Sequence, residues 1–232
     1  MDCIKLDTIK PKRVELPRIS YKVNTAPAPF TRSGIGIMLA DTTIVDSNDP
    51  TIGTYSRSEI IGITLEDDNM SVIISPDAPT KAYFCGGTVA CPDATCEIGI
   101  NGAGDKFVGE EATATLRGSL TADTTWAVNK AYSVMLNGRH CYLPYQGELL
   151  TIFNNKATIN SLLMRCECSA LPGGDYWSSA LLGRVNAEGE ATSDVNGYLR
   201  TIAGINFTSN NIWGLNVQGY YNVLPIAKLV KT

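Results

Sequence analysis

His140 is the only histidine among the 232 residues. Any Ser-His-Asp or Cys-His nucleophile system would have to use it. No Gly-x-Ser-x-Gly elbow and no His-Glu-x-x-His pair occurs. Seven cysteines are present: Cys3, Cys85, Cys91, Cys96, Cys141, Cys166 and Cys168. An odd number cannot close completely into intrachain disulfides, so most are expected as reduced thiols. Cys166 and Cys168 would chelate a metal together with His140 and Cys141 only if the fold brought the two pairs together. The commoner fate of such residues is as small buried thiols. Asn101 to Lys106 imitates a phosphate loop but lacks the Gly-Lys-Ser/Thr ending. Asp46-Ser47-Asn48-Asp49-Pro50 hints at calcium but fails the EF-hand spacing at the glycine and terminal glutamate positions. No pair of carboxylates is singled out for glycoside cleavage. The chain is therefore read as a non-enzyme with no catalytic residue, no cofactor and no bound metal.

The composition points to a globular chain. Hydrophobic residues make up 44%, charged residues 18%, and the net charge is −4. These values exclude a wholly disordered or collagen-like polymer. Mild acidity argues against nucleic acid as a partner, because phosphate binding needs a concentrated basic surface. No stretch approaches the roughly 20 apolar residues that span a bilayer, so no membrane insertion is expected. Met1 to Asp7 lacks the apolar run of a signal peptide, and the expectation is a protein made and used without its own export signal.

Three regions follow from local composition. Residues 1–30 read as an extended anchoring arm, with Pro11, Pro17, Pro27 and Pro29 and a basic set of Lys5, Lys10, Lys12, Arg13, Arg18 and Lys22. Val14-Glu15-Leu16 and Ile19 to Val23 alternate as a strand does. Residues 31–125 read as β-rich. Ile35 to Leu39 is a short buried run. Glu59–Leu65 and Met70–Ile74 flank Asp67-Asp68-Asn69 as a hairpin. Residues 85–125 suggest loops with one or two short strands, and Thr113 to Arg117, like Thr124 to Lys130, could begin the helix that follows. Residues 126–232 open with a helix carrying Ala127, Ala131, Met135 and Leu136 and stopped by Asn137-Gly138. Pro144 then opens an amphipathic helix with Leu149, Leu150, Phe153 and Ala157 at helical spacing. Thr158 onward continues as a turn or a second short helix. Trp177 and Trp213 read as core anchors.

Leu143-Pro144, Glu148-Leu149, Asn155-Lys156-Ala157, Ile159-Asn160, Tyr176-Trp177-Ser178-Ser179, Trp213 and the closing segment 223–230 occur in an order that resembles the C-type lectin-like fold. The similarity covers roughly residues 131–232 and is to the phage and bacterial branch that includes variable proteins of diversity-generating retroelements. The branch often closes with Val-Arg-Pro-Val where this chain has Val223-Leu224-Pro225-Ile226, so a closing-strand ion pair lacks its arginine. The fold family also contains formylglycine-generating enzymes, which use two late cysteines; no cysteine follows Cys168 here. The resemblance implies an α+β fold: a β-rich N-terminal region, then a lectin-like domain with short helices on a small twisted antiparallel sheet.

Segment 186–222 holds seven asparagines, against four in the first 120 residues. Amides hydrogen-bond either way, and tyrosine gives contact area at low entropy cost. The ligand-binding expectation therefore falls on Asn186, Asn196, Tyr198, Arg200, Asn206, Asn210, Asn211, Asn216, Tyr220 and Tyr221. The alternative is that asparagine and glycine simply build turns there. The resemblance implies a phage virion surface protein, a head-fibre or tail-fibre component displayed on the particle. It would form a homo-oligomer, a trimer by analogy, hold other virion proteins through its arm and bind a host envelope glycan or protein. The alternatives are a purely structural capsid-decoration or fibre-base protein and a bacterial surface adhesin.

Overall fold

The computed structural model describes residues 34–84, 107–119, 125–185, 191–192, 198–209, 211–216 and 219–230. The first sheet grows from two hairpins. In β1 (Ile35–Leu39) and β2 (Ile44–Asp46) the turn is held by Asp41, whose side chain accepts from the Thr43 amide at 2.9 Å. In β3 (Ile60–Glu66) and β4 (Ser71–Ile74) the expected acidic turn is made by one residue. Asp67 Oδ1 accepts from the amides of Asn69 and Met70 at 2.7 and 2.8 Å, an Asx turn.

β5 (Thr80–Tyr83) leaves this sheet and joins another. Helix α1 (Gly109–Ser119) follows; it contains the helical segment Thr113 to Arg117 that the sequence suggests within loops and short strands, but it is a separate helix that ends before Ala127. Its signal is faint because its buried face is made of Gly109, Thr113 and Leu116, only one of them large and apolar. Spacings of four and three put them on one face, and Glu110 and Glu111 suit the positive helix start. Helix α2 (Ala127–Ser133) buries Ala127, Val128 and Ala131 but stops before Met135 and Leu136. Those two form β6 (Met135–Leu136), paired with β7 (Arg139–His140). The expected helix end is instead a hairpin turn: Asn137 and Gly138 have φ of 49° and 72°, the left-handed pair that a two-residue hairpin requires.

Helix α3 (Gln146–Asn154) begins just after Pro144, as expected. It ends at Asn155, and α4 (Lys156–Arg165) starts at once in a new direction. The expected apolar face therefore does not run on to Ala157, which is exposed. Leu149 and Ile152 of α3 and Ile159, Leu162 and Leu163 of α4 are the large apolar residues buried. Among the described residues no helix is long and apolar enough to cross a membrane.

The remaining strands are β8 (Asp175–Val185), β9 (Ala191–Thr192), β10 (Tyr198–Asn206), β11 (Asn211–Asn216), β12 (Tyr220–Val223) and β13 (Ile226–Lys228). The second sheet has the order β11-β10-β8-β12-β5, with β9 on β8. β12 runs parallel to β8, and the other pairs are antiparallel. The fold is α+β.

Two long-range pairings decide the architecture. β13 adds to β4, giving the first sheet the order β13-β4-β3-β1-β2. β5 adds to β12, far down the chain. Each sheet thus draws strands from both sides of residue 126. The largest apolar cluster does the same, joining Ile37, Ile63 and Ile74 to Leu149, Leu163, Tyr176 and Ile226. Regions 31–125 and 126–232, as far as they are described, share one core. Arm 1–30 lies outside the described residues.

Candidate functional site

The register of the second sheet locates the expected ligand-binding residues. Tyr198 pairs with Val185, and Asn216 with Thr201, next to Arg200, so these three lie at the end of the sheet where β8 finishes. Asn206 pairs with both Asp175 and Asn211, so it and Asn211 lie at the opposite end. Tyr220 and Tyr221 come just before Asn222, which pairs with Tyr176, so they also lie at that second end. Eight residues separate Tyr198 from Asn206 along β10, roughly 26 Å of strand. The expected residues therefore do not form one contact patch. Asn186, Asn196 and Asn210 lie outside the described residues.

Two members of the set serve the fold itself. Asn206 Nδ2 donates to Asp175 Oδ1 at 2.8 Å, and its Oδ1 accepts from the amides of Thr208 and Ser209 at 2.8 and 3.0 Å. This is the turn-building role of asparagine. Tyr221 packs edge-on against Trp177, with ring centroids 4.8 Å apart. Trp177 is fully buried, meets Phe84 at 5.3 Å and donates its indole N–H to the Ala82 carbonyl at 2.8 Å.

Tyr220 is different. Strand alternation turns Ala82 and Tyr221 toward the cluster that contains α2, and Tyr83 and Tyr220 to the other face. Tyr83 and Tyr220 are direct cross-strand partners. Their rings are tilted by 52° with centroids 5.0 Å apart, and they are 51% and 52% exposed. Few large rings stay this open when a core is available. The support beneath is stiff, because β5 and β12 are held by Trp177, Phe84, Ala127 and Val128 on the buried face. Tyr83 went unread in the sequence; its only local signal was the alternation of Lys81, Ala82, Tyr83 and Phe84. Trp177, by contrast, is one of the two core anchors that the sequence suggests; the side chain of the other, Trp213, lies outside what is described.

The most perturbed acid lies elsewhere. Glu148, 2% exposed, is the third residue of α3. Its Oε2 accepts from the Tyr145 amide at 2.7 Å, closing a capping box. Its Oε1 accepts from the Tyr142 hydroxyl at 3.0 Å. Burial raises its pKa to about 7 against these two stabilising bonds, and Lys228 nearby also lowers it. Burial likewise pushes the Tyr142 phenol up. α1 closes over the group: any side chain at Gly109 would strike the Glu148 carboxylate and the Tyr142 ring. Thr113 of α1 also donates to the Leu143 carbonyl at 3.2 Å and accepts from the Leu143 amide at 3.0 Å. Both carboxylate oxygens are engaged and shielded, so Glu148 is a structural tie between α1 and the start of α3. A general acid or base must reach its substrate's proton.

Among the described residues the other reactive side chains are His140, which is exposed, and three cysteines. His140 stacks on Tyr132 at 4.0 Å, with its Nδ1 2.8 Å from the Tyr132 carbonyl. Arg117 covers the same ring at 3.3 Å. Cys141 is buried among Met38, Ile73 and Leu136, and desolvation pushes its thiol up to about 12. Cys166 belongs to a different apolar cluster, and Cys166 and Cys168 are not brought together with His140 and Cys141. Burial also raises the Cys166 and Cys168 thiols, away from the depressed values of reactive cysteines. Gln146 and Ser179 are buried polar side chains without hydrogen-bond partners, at the contact of α3 with β8. Comparison with protein-family models, curated proteins and solved structures finds no match.

Proposed function

We propose that this chain is a non-enzymatic recognition protein of a phage particle surface, a head-fibre or tail-fibre component that binds a host envelope glycan. The observation that carries the reading is the Tyr83–Tyr220 pair, two rings held open to solvent on a rigid strand pair. Sugars present a C–H face and a hydroxyl rim. A tyrosine ring covers the first, and its phenol reaches the second. Two tilted rings form a shallow cradle for one or two sugar units, and Tyr is the economical residue for such a platform because only two torsions are frozen. A single cradle of this size binds weakly. Display of several copies, as in the proposed trimer, turns weak sites into firm attachment through effective concentration.

The lectin-like motif order and the absence of any expected catalytic group support the same reading. The N-terminal arm would attach the chain to other virion proteins. The test compares wild type with Y83A, Y220A and the double variant in binding to host cells and to purified envelope polysaccharide. Both tyrosines are half exposed, so the fold should melt as wild type does. Each single substitution should weaken binding by about tenfold, the equivalent of roughly 1.4 kcal/mol for one lost ring contact. Unchanged binding by the double variant, or no binding by wild type, rejects this site.

A further inference from the structure

The outer face of the first sheet is only half covered. Met38, Ile73 and Ala227 lie under Leu136, Cys141 and Leu229. Beside that cover lies a groove of about 320 Å³. Gly36 and Thr64 are buried at its floor, with Ile44 and Asp46 on one side, Leu229 on the other, and Glu66 among its lining. The register explains the shape: Gly36 sits between Asp46 on β2 and Thr64 on β3, so a strand position without a side chain runs down the middle. Ile44 is 45% exposed on β2, which is the edge strand among the described residues.

This end of the sheet is strongly acidic. Asp46 ends β2 and Asp49 follows it, while Glu66 ends β3 and Asp67 and Asp68 lie in the β3–β4 turn. The Glu66 amide donates to the Gly34 carbonyl, which sets that turn beside the start of β1. Among the described residues two cations lie close. Arg165 donates to the carbonyls of Ser47 and Asp49, and Lys228 is held by Glu110 and Glu111 at 3.2 and 3.7 Å. The local charge stays negative. A strand edge unpaired among the described residues, beside a groove of mixed polar and apolar lining, is a template for an added strand.

We infer that the N-terminal arm of a second copy of this chain docks along β2 and into this groove. The arm carries Lys5, Lys10, Lys12, Arg13, Arg18 and Lys22 against three acids, Asp2, Asp7 and Glu15, in its first 30 residues. Its charge complements the acidic end. Residues 18–23 alternate apolar and polar, and Pro17 directly before them suits a strand paired on one side only. A second copy is favoured over the same chain by the spacer. Residues 24–33 include Pro27 and Pro29, and each proline fixes its own φ and restricts the residue before it, which disfavours a tight reversal in a link this short. The chain's own β2 is three residues long and lies one strand away from Gly34, so docking on it would require the spacer to fold back.

Sedimentation velocity on the full chain tests this, at about 50 mM and 500 mM salt, because the attraction is screened over about 10 Å at 0.1 M. Wild type should assemble at low salt and separate into single chains at high salt. The arm variant K12E/R13E/R18E and the groove variant D46K/D68K should each be monomeric at low salt, with the association constant reduced by about a hundredfold or more. An equal mixture of the two should assemble again, since acidic arms then meet basic grooves. The arm variant leaves every described residue untouched, so its result stands even if the groove variant folds poorly. Wild type that is monomeric at both salts, an arm variant that assembles as wild type does, or a folded pair that fails to reassemble on mixing overturns the proposal.

Discussion

Replacing Glu148 by glutamine should remove a specific slope from the pH dependence of stability. The folded chain holds this carboxyl at a pKa of about 7, whereas its ordinary value is 4.5. The fold therefore prefers the protonated form. Its stabilising contribution is complete below about pH 4.5 and is lost as the pH rises through 7. A difference of 2.5 units corresponds to about 3 kcal/mol at 1.36 kcal/mol per unit. Between about pH 5 and 6.5 the native state carries roughly three-quarters of a proton or more beyond the unfolded chain, a loss of about 1 kcal/mol per pH unit from this group alone. Glutamine cannot ionise, but it keeps an oxygen for the Tyr142 hydroxyl. It loses an acceptor for the Tyr145 amide, at a cost of about 1 kcal/mol for a helix cap. E148Q should thus be the less stable protein at pH 4.5, cross wild type between about pH 5 and 6, and be the more stable by roughly 2 kcal/mol at pH 8. The assay is the urea midpoint and slope of both proteins at half-unit steps from pH 4.5 to 8. Other titrating groups cancel in the difference. Asp41, Asp49 and Glu59 are held below their ordinary values by hydrogen bonds from Thr43, Thr51 and Ser56. Their contributions are lost as the pH falls below this window. Parallel curves for E148Q and wild type would refute the picture of a buried carboxyl sealed under α1.

Two further outcomes follow from the packing. W177A should lower the free energy of unfolding by about 3–5 kcal/mol, because a fully buried ring and its indole bond to Ala82 are both removed; W177F should cost less, and urea unfolding measures both. Ending the chain after Pro225 removes β13 and uncovers the edge of β4 and the inner face around Ile74 and Tyr142, so limited proteolysis should cut both sheets faster rather than trim one terminus.

The elements were legible wherever the signal was local. The β3–β4 hairpin could be read because its turn is made by the side chain of Asp67, inside the turn itself. The start of α3 could be read because Pro144 precedes an apolar face. The reading failed at Met135 and Leu136 because Asn-Gly stops a helix and also closes a hairpin, and α2 had already ended at Ser133. At α1 it reached only Thr113 to Arg117, because a helix face of glycine, threonine and one leucine carries little periodicity. Neither long-range pairing, β13 with β4 or β5 with β12, leaves any trace in the residues that make it.

The candidate site depended on one of those pairings. Counting asparagines located a loop-rich stretch, and Asn206 shows why a count misleads: all of its described bonds hold β8, β10 and the following turn in place. A surface is made by register instead. The same ladder that turns Tyr221 down onto Trp177 turns Tyr220 up beside Tyr83. A shift of one residue in the β5–β12 pairing would bury Tyr220 and expose Tyr221, since adjacent strand positions face opposite sides. Trp177 resists that shift, because its indole bond reaches only the Ala82 carbonyl and its ring fills the space beside Phe84. The buried tryptophan therefore sets which tyrosine meets solvent, and substitutions at position 177 are expected to disturb the open face as well as the core.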